Sequence, residues 1–323
     1  MTAFTPADVR TWSMLGSSGT FGMAALDLPD LDDKIVIMTA DLCAFSGLER
    51  FRSRFPDRLF NVGIAEQNMI GVAAGMTKEG FNVFATTYAT FASTRGCDPV
   101  RVNMGYMGFN IKLVGLSAGL SVGILGATHM SIEDVAIMRA IPNMTVISPA
   151  DCTETVKATL AAVRHDGPIY LRLTGGMNNP VVYKNDYDFQ IGKAIILREG
   201  EDITIVATGT MVYQSLEAAN ILEGQGLSAT VIDMHTIKPL DTSVLDRAFE
   251  SSKLIVTIEE HNVIGGLGGA VAEYKSKRAN TPVQLTIGIE DNFPHAGDYS
   301  YLLKTCGLTA PQIAKKISEN FVG

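Results

Sequence analysis

The stretch Asn-Val-Gly-Ile-Ala-Glu-Gln-Asn-Met-Ile-Gly, residues 61–71, decides how the rest of this chain is interpreted. Apolar residues lead up to one carboxylate, Glu66, and small residues follow at Gly71, Ala74 and Gly75 with the spacing of a closely packed helix. Burying a carboxylate in small, apolar surroundings is costly unless the group has a partner. Glu66 is therefore either a solvated acid in the first turn of a helix or a buried acid with a specific function.

The bulk composition indicates a well-buried globular protein with two domains. The chain has 323 residues, of which 46% are hydrophobic and 19% are charged. Its formal charge is −8, from 26 basic and 34 acidic residues, and it contains no long basic run. This balance argues against nucleic acid or an anionic membrane as the main partner.

The ends of the chain and its cysteines predict a cytosolic protein. The N-terminal residues MTAFTPADVRTWSM lack the basic and apolar regions of a signal peptide, and no apolar run reaches the length of a membrane span. The four cysteines show neither a CxxC motif nor the spacing of a Cys/His metal site. We expect reduced thiols.

Strand and helix patterns alternate along the chain, which predicts parallel sheets with crossover helices. Buried strands are expected at residues 34–39, 82–86, 111–115, 145–148, 169–173, 203–207, 229–233 and 254–258, and helices at 132–140, 149–163, 212–225 and 269–277. The fold class is α/β, with two doubly wound domains. The boundaries are 1–178 for the first domain, 179–192 for a linker rich in Asn and Asp, and 193–323 for the second domain.

Several short motifs resemble those of the transketolase family, and they occur in the family's order over essentially the whole chain. Six resemble its pyrimidine-binding domain: Ala-Asp-Leu (40–42), residues 61–71, Thr-His (128–129), Ile-Glu-Asp (132–134), Pro-Asn (142–143) and Pro-Ala-Asp (149–151). Three resemble its C-terminal domain: Ile-Lys-Pro-Leu-Asp (237–241), Glu-Glu-His (259–261) and Gly-Gly-Leu-Gly-Gly (265–269). The chain looks like the C-terminal subunit of a split, two-subunit transketolase.

This resemblance implies thiamine diphosphate as the cofactor. Glu66 is similar to the acid that hydrogen-bonds the aminopyrimidine ring and favours its imino tautomer, and Phe91 to the aromatic residue that stacks on that ring. Tyr88, three residues earlier and expected on the same side of a helical turn, would help to form the pocket. His129 matches the histidine beside the substrate carbonyl, where it acts as a catalytic donor or proton carrier.

Four further residues are expected near the cofactor or the substrate. Asp41 and Ser46 follow the carboxyl end of a strand, where α/β sheets bind ligands. Asp41 is expected to contact the cofactor, and Ser46 aligns with a serine that binds the substrate phosphate. Arg95 and Arg172 are the candidate ligands for an anionic group of the substrate.

The resemblance also implies a partner chain. The family holds the cofactor's diphosphate through Mg²⁺, using a Gly-Asp-Gly motif and a later Asn-Asn pair, and this sequence contains no Gly-Asp-Gly. We therefore expect no metal site within the chain and no activity from the chain alone. An N-terminal transketolase subunit would supply the diphosphate and Mg²⁺ site, in an α2β2 assembly.

Three positions depart from the family pattern. Leu125 occupies the place of an aspartate that contacts a sugar hydroxyl, whereas Gly175 and Ser18 occupy places of arginines that bind phosphate. These differences leave the thiamine chemistry intact. They predict a sugar substrate other than an ordinary sugar phosphate.

Two glycine and histidine motifs have alternative interpretations. The segment 265–269 suggests a dinucleotide-binding loop, but Val271 occupies the last glycine position of GxGxxG, and a structural tight turn fits better. His261, beside Glu259 and Glu260, suggests a metal site, although a polar cluster between domains fits better.

The predicted activity is transfer of a two-carbon ketol unit from a ketose donor to an aldose acceptor. An alternative is the beta subunit of a 2-oxoacid decarboxylase or dehydrogenase component, which shares the two-domain plan; the segment 128–134 favours transketolase. A catalytically silent regulatory subunit is a further alternative. The presence of both Glu66 and His129 argues against it.

Overall fold

The first sheet has seven strands and includes one strand from the second half of the chain. The computed structural model describes residues 4–321. The strands, in chain order, are β1 (Ile35–Thr39), β2 (Leu59–Asn61), β3 (Asn82–Tyr88), β4 (Ile111–Ala118), β5 (Thr145–Ile147), β6 (Ile169–Thr174) and, after three strands of the second sheet, β10 (Thr236–Lys238). Their order across the sheet is β10-β5-β6-β4-β3-β1-β2.

The helices of this first unit connect its parallel strands. They are α1 (Pro6–Ala25), α2 (Leu28–Leu31), α3 (Glu49–Arg54), α4 (Glu66–Lys78), α5 (Cys97–Pro99), α6 (Asp134–Ala140) and α7 (Cys152–Arg164). Two π-helical turns (Phe91–Arg95 and Val100–Tyr106) and two 3-10 turns (Pro56–Arg58 and Gly123–Leu125) lie between them. All seven residues of β3 and all five of β1 are buried, as expected for strands covered on both faces.

The second sheet has five strands and is mainly parallel. They are β7 (Ile195–Arg198), β8 (Ile203–Ala207), β9 (Ala229–Asp233), β11 (Leu254–Asn262) and β12 (Val283–Ile289), in the order β12-β11-β8-β9-β7. The helices are α8 (Met211–Glu223), α9 (Thr242–Ser251), α10 (Leu267–Lys275), α11 (Tyr299–Thr305) and α12 (Ala310–Asn320). The predicted fold class, two doubly wound α/β domains, is confirmed.

The eight predicted strands and four predicted helices are present, with ends that differ by a few residues. The helix predicted to begin at residue 132 starts at Asp134, and the one predicted to begin at residue 269 starts at Leu267. The motif at 237–241 is predicted to belong to the second domain. Its first residues lie in β10, which extends from the second half of the chain and pairs antiparallel with β5 in the first sheet, with Thr236 opposite Ile147.

The prediction for the local structure around Tyr88 is wrong. Tyr88 is the last residue of β3, whereas Phe91 begins a π-helical turn, so the two residues do not share one helical turn. The strand extends to Tyr88 because Thr87 and Tyr88 pair with Gly115 and Leu116 of β4. No helix within residues 4–321 is long and apolar enough to cross a membrane.

Candidate active site

Three neighbouring strands bring most of the predicted site residues to one edge of the first sheet. Strands β4, β3 and β1 are adjacent and parallel, so their carboxyl ends meet at this edge. Asp41 follows β1, Tyr88 ends β3, and His129 lies on the connection that leaves β4. This edge is where open α/β sheets bind their ligands.

Glu66 is the first residue of α4 and is buried, with 3% of its surface exposed. The interpretation of Glu66 as a solvated acid is therefore wrong. Its Oε1 accepts a hydrogen bond from Arg95 Nη1 at 2.7 Å, which supplies the partner that a buried carboxylate requires. The Arg95 side chain is 46% exposed, so the ion pair connects the buried acid to the surface.

Tyr88, Phe91 and His129 form a compact cluster of rings. The ring centroids are 6.0 Å apart for Tyr88–Phe91, 5.7 Å for Tyr88–His129 and 5.3 Å for Phe91–His129. All three pairs are close to edge-to-face, with interplanar angles of 69–78°. Burial raises the pKa of the Tyr88 hydroxyl, which therefore stays protonated near neutral pH.

Glu66 and the ring cluster are linked through Arg95. The guanidinium that donates to Glu66 also lies over the Phe91 ring, with Cζ 4.1 Å from the centroid. The structure thus brings Glu66, Phe91, Tyr88 and His129 into one site, with Arg95 between the acid and the ring. The sequence predicts Arg95 as a substrate ligand. In this structure its charged group is instead bound to Glu66.

The loop that carries His129 is fixed at both ends by contacts with the second unit. Leu120 N donates to Glu260 Oε1 at 2.6 Å, and Asn262 N donates to Ile132 O at 2.7 Å. Within the loop, Thr128 Oγ1 and His129 Nδ1 lie 3.0 Å apart. The imidazole is thereby oriented by its neighbour while remaining partly exposed.

Asp41 and Ser46 follow β1 as predicted, but in different environments. Asp41 is exposed, and its Oδ1 accepts a hydrogen bond from Asn61 Nδ2 at 2.9 Å. Ser46 is fully buried, and its hydroxyl donates to the carbonyl oxygens of Leu42 (2.8 Å) and Cys43 (3.1 Å). This hydroxyl therefore closes a local turn.

Arg172, the other predicted anion ligand, does not lie at the site. Its side chain is 1% exposed; Nε donates to Asp134 Oδ2 at 2.8 Å, and Nη2 donates to the carbonyl oxygens of Ser131 and Glu260. Burial opposes ionisation of Asp134, but Arg172 outweighs it and lowers the pKa of this carboxyl. Arg172 joins the loop of His129 to the second unit, which makes its role structural.

The glycine segment at 265–269 is a structural turn, as predicted. It leads into α10, and the carboxylate of Glu259 accepts hydrogen bonds from Leu267 N (2.7 Å) and Gly268 N (2.8 Å). A Cβ at Gly266 would lie 2.0 Å from Glu259 Oε2. Because the acid occupies the N-terminus of α10, this turn does not provide a pyrophosphate site.

His261 lies between the two units, as predicted. Its Nε2 accepts from Ala136 N at 3.3 Å, and its Nδ1 contacts the carbonyl oxygen of Asn262 at 2.7 Å. Within residues 4–321, no group of three or more His, Cys, Asp or Glu side chains is arranged to hold a metal ion.

The three positions that depart from the family pattern lie on a helix and two connecting segments. Ser17 Oγ donates to Gly175 O at 3.2 Å, so the segments carrying Ser18 and Gly175 are in contact. The helix α1 is kinked at Gly16, whose φ is 73° and whose Cβ would lie 2.5 Å from Gly176 O. Leu125 is 50% exposed in the 3-10 turn before His129.

Sequence reasoning missed three contributions to the site. Asn61 Oδ1 accepts from both Asp41 N (3.1 Å) and Gly63 N (3.0 Å), which ties the end of β1 to the segment before α4. Phe45, 66% exposed, has its ring centroid 6.2 Å from that of Tyr88. The pairing of Arg95 with Glu66 also went unrecognised. Of these three, only Asn61 could have been recognised from the sequence, because an Asn two residues before a Gly is typical of a turn. In the structure this glycine, Gly63, has a positive φ.

Comparison with protein families decides the assignment. Residues 16–179 match the family described as "Transketolase, pyrimidine binding domain", and residues 192–313 match "Transketolase, C-terminal domain". The chain belongs to the transketolase family. The predicted resemblance is confirmed.

Individual relatives of this transketolase-family chain are matched over nearly their full length. "Putative transketolase C-terminal section" of Methanocaldococcus jannaschii is 42% identical over 93% of this chain and 94% of its own. A 6-deoxy-6-sulfo-D-fructose transketolase subunit of Clostridium sp. (strain MSTE9) is 43% identical over 91% of each. A solved structure described as "Split gene transketolase, inactive beta4 tetramer" is 39% identical, with a TM-score of 0.86 over 95% of this chain and 98% of that chain.

Proposed function

We propose that this transketolase-family chain is the C-terminal subunit of a two-subunit, thiamine-diphosphate-dependent transketolase. It moves a two-carbon ketol unit from a ketose donor to an aldose acceptor, in the cytosol. An N-terminal partner supplies the diphosphate and Mg²⁺ site, in an α2β2 assembly. The observation that carries the proposal is the buried carboxylate of Glu66, linked through Arg95 to the Phe91 ring, which packs against His129.

The donor set fits the aminopyrimidine of thiamine diphosphate. A planar group with N–H donors already lies between Glu66 and Phe91 in this structure, namely the Arg95 guanidinium. A site that hydrogen-bonds one planar donor and stacks it on a ring is chemically suited to another. Glu66 would hold the ring nitrogen of the aminopyrimidine, and Phe91 would pack against its face, with Tyr88 completing the wall and Asp41 at the edge of the pocket.

In this proposal Glu66 acts on the cofactor and His129 acts on the substrate. When bound, thiamine diphosphate supplies a nucleophilic carbon that adds to a carbonyl and accepts the charge left when the adjacent carbon–carbon bond breaks. Glu66 holds a proton at the pyrimidine nitrogen. His129, which is partly exposed beside Phe91, would donate to the substrate oxygen, where negative charge develops.

The partner is proposed from what the chain itself contains. The sequence has no Gly-Asp-Gly motif, and the described residues form no metal-binding group, so the diphosphate charge must be neutralised elsewhere. The 39% identical split-gene transketolase chain was solved as an inactive β4 tetramer, which supports the need for a second chain.

Reconstitution tests the proposal. The chain is mixed with the N-terminal transketolase subunit of the same organism, Mg²⁺ and thiamine diphosphate, and cleavage of ketoses is compared with decarboxylation of 2-oxoacids. We expect ketose cleavage by the pair and none by either chain alone. Turnover of 2-oxoacids but not ketoses would instead assign the chain to a decarboxylase component, and turnover by this chain alone would remove the need for a partner.

A further inference from the structure

Arg95 touches both groups that are expected to hold the cofactor's aminopyrimidine. Its Nη1 donates to Glu66 Oε1 at 2.7 Å, and its Cζ lies 4.1 Å from the centroid of Phe91. One planar cation therefore satisfies the hydrogen-bonding acid and covers the stacking ring at the same time. A second planar group could not make both contacts while the guanidinium remains there.

We propose that Arg95 is a placeholder: in the chain without cofactor its guanidinium occupies the aminopyrimidine position, and it must swing out for the cofactor to bind. This inference rests on the proposed function. The guanidinium is planar, carries N–H donors and stacks on aromatic rings, so it makes the same two kinds of contact as an aminopyrimidine. It keeps the buried acid paired until the cofactor replaces it.

The structure allows the side chain to move while the backbone stays. Arg95 is the last residue of the π-helical turn, and its side chain is 46% exposed. Its carbonyl oxygen accepts a hydrogen bond from Gln67 Nε2 at 3.1 Å, which anchors the backbone to α4. Glu66, by contrast, is 3% exposed and has no comparable freedom. The Arg95 end of this ion pair is partly exposed and screened by solvent, and the cofactor would supply a replacement donor to the buried acid, so exchanging one for the other costs little.

Binding affinity tests the placeholder. Thiamine diphosphate is titrated by calorimetry into complexes of the N-terminal subunit, Mg²⁺ and either wild type or Arg95→Met. We expect Arg95→Met to bind the cofactor about twofold to fivefold more tightly, the scale of one lost competing ion pair. Arg95→Gln should shift the affinity in the same direction. A variant with a damaged fold would bind the cofactor more weakly. Tighter binding therefore cannot result from damage to the fold.

Arg278 offers a matched control on the second unit. Its side chain is also 46% exposed, pairs with Asp246 at 3.0 Å and lies over Tyr274, with Cζ 4.8 Å from the ring centroid. Arg278→Met should leave the cofactor affinity unchanged. If the wild-type complex binds thiamine diphosphate and both Arg95 variants bind it equally or more weakly, the proposal for Arg95 is wrong. The proposed function would not be affected by that result. If the wild-type complex binds no thiamine diphosphate, the proposed function fails and the placeholder fails with it.

Discussion

Glu66 is the residue on which the proposed chemistry depends. It is buried at the start of α4, where its carboxylate lies at the positive end of the helix and is paired with Arg95. An acid in this position can hold a proton on a ligand without competition from bulk water. Its amide analogue has the same shape but no ionisable group.

Replacing Glu66 by Gln should leave the fold nearly unchanged and slow chemistry at the cofactor. We expect hydrogen–deuterium exchange at the C2 carbon of bound thiamine diphosphate to fall by roughly 10²-fold or more, the scale for losing a positioned acid–base group. Exchange is followed by NMR in the reconstituted complex. Glu79→Gln, an exposed acid just after α4, is the control. Equal exchange in wild type and Glu66→Gln would refute the assignment.

Replacing His129 by Ala should affect a later step than Glu66→Gln does. His129 lies 5.3 Å from Phe91 between ring centroids and is partly exposed, whereas Glu66 is buried, and we propose that His129 contacts the substrate. We expect C2 exchange to be retained and kcat/KM for the ketose to fall by roughly 10²- to 10⁴-fold. Steady-state kinetics and C2 exchange on the same preparation check this. If His129→Ala loses both C2 exchange and ketose turnover, Glu66 and His129 do not act at separate steps.

The sequence predicts some contacts of the site better than others. Glu66, Phe91, Tyr88 and His129 come together because each lies near the carboxyl end of adjacent parallel strands, which is a property of strand order. The Arg95–Glu66 pair spans 29 positions and depends on side-chain directions that no local pattern encodes. The partners of Arg172, which are Asp134 and two backbone carbonyls, likewise lie far from it along the chain, and no local pattern predicts them.

At the scale of elements, the buried strands were the most predictable feature. Continuous apolar runs such as β1 and β8 can pack only between two layers of helices, so their pattern is unambiguous. The helix α1 was missed because Gly and Ser fill its middle and Gly16 kinks it. β10 was missed because three residues carry little signal, and its pairing with β5 is set by the packing of the two units.

A buried acidic cluster joins α7, β9 and the segment between the units. Tyr187 donates to Glu154 Oε1 at 2.9 Å, and Tyr183 donates to Asp233 Oδ2 at 2.6 Å. Both carboxyls are fully buried, with Asp151 nearby. Burial raises the pKa of Asp233 to about 7, and burial together with the charge of Asp233 raises the pKa of Glu154 well above its usual value.

This cluster should make stability depend on pH. A carboxyl whose pKa is raised in the folded state binds more protons there than in the unfolded chain, so its contribution is lost as pH rises, here between 3.8 and about 7 for Asp233. Glu154→Gln removes one of the two acids. The free energy of unfolding is measured with denaturant at pH 5 and pH 8. From pH 5 to pH 8, we expect it to fall by about 1–3 kcal/mol more in wild type than in Glu154→Gln.

The exposed acid Glu217 of α8 provides the control for the pH experiment. Glu217→Gln should follow the wild-type pH dependence of the free energy of unfolding. If the free energy of unfolding of Glu154→Gln falls between pH 5 and pH 8 by as much as that of wild type, Glu154 does not contribute to the pH dependence of stability.

At the scale of the whole molecule, the second unit holds the loop of His129 in the first. Glu260 binds Leu120 N, Thr210 and Tyr299, each at 2.6 Å, and Arg172 joins Asp134 to the carbonyl oxygen of Glu260. The loop of His129 therefore depends on both units being packed together. This explains how one site at the edge of the first sheet requires both units of the chain.

The three positions that depart from the family pattern bring together distant parts of the chain and affect the expected substrate. Leu125 is 50% exposed before His129, and the segments that carry Ser18 and Gly175 touch through the Ser17–Gly175 hydrogen bond. None of the three residues can bind an anion as an arginine would. Met14 and Met177, in the same two segments, expose apolar side chains that are 59% and 78% accessible.

We therefore expect the reconstituted enzyme to prefer an unphosphorylated, deoxy or otherwise modified sugar over xylulose 5-phosphate. A charge-assisted hydrogen bond contributes ~1.5–3 kcal/mol, so the absence of two arginines weakens a phosphorylated sugar by roughly 10²- to 10⁴-fold. The measurement compares kcat/KM for xylulose 5-phosphate with that for unphosphorylated and sulfonated ketoses, since one relative is a 6-deoxy-6-sulfo-D-fructose transketolase subunit. A strong preference for xylulose 5-phosphate would mean that the partner chain supplies the phosphate ligands that Ser18 and Gly175 do not.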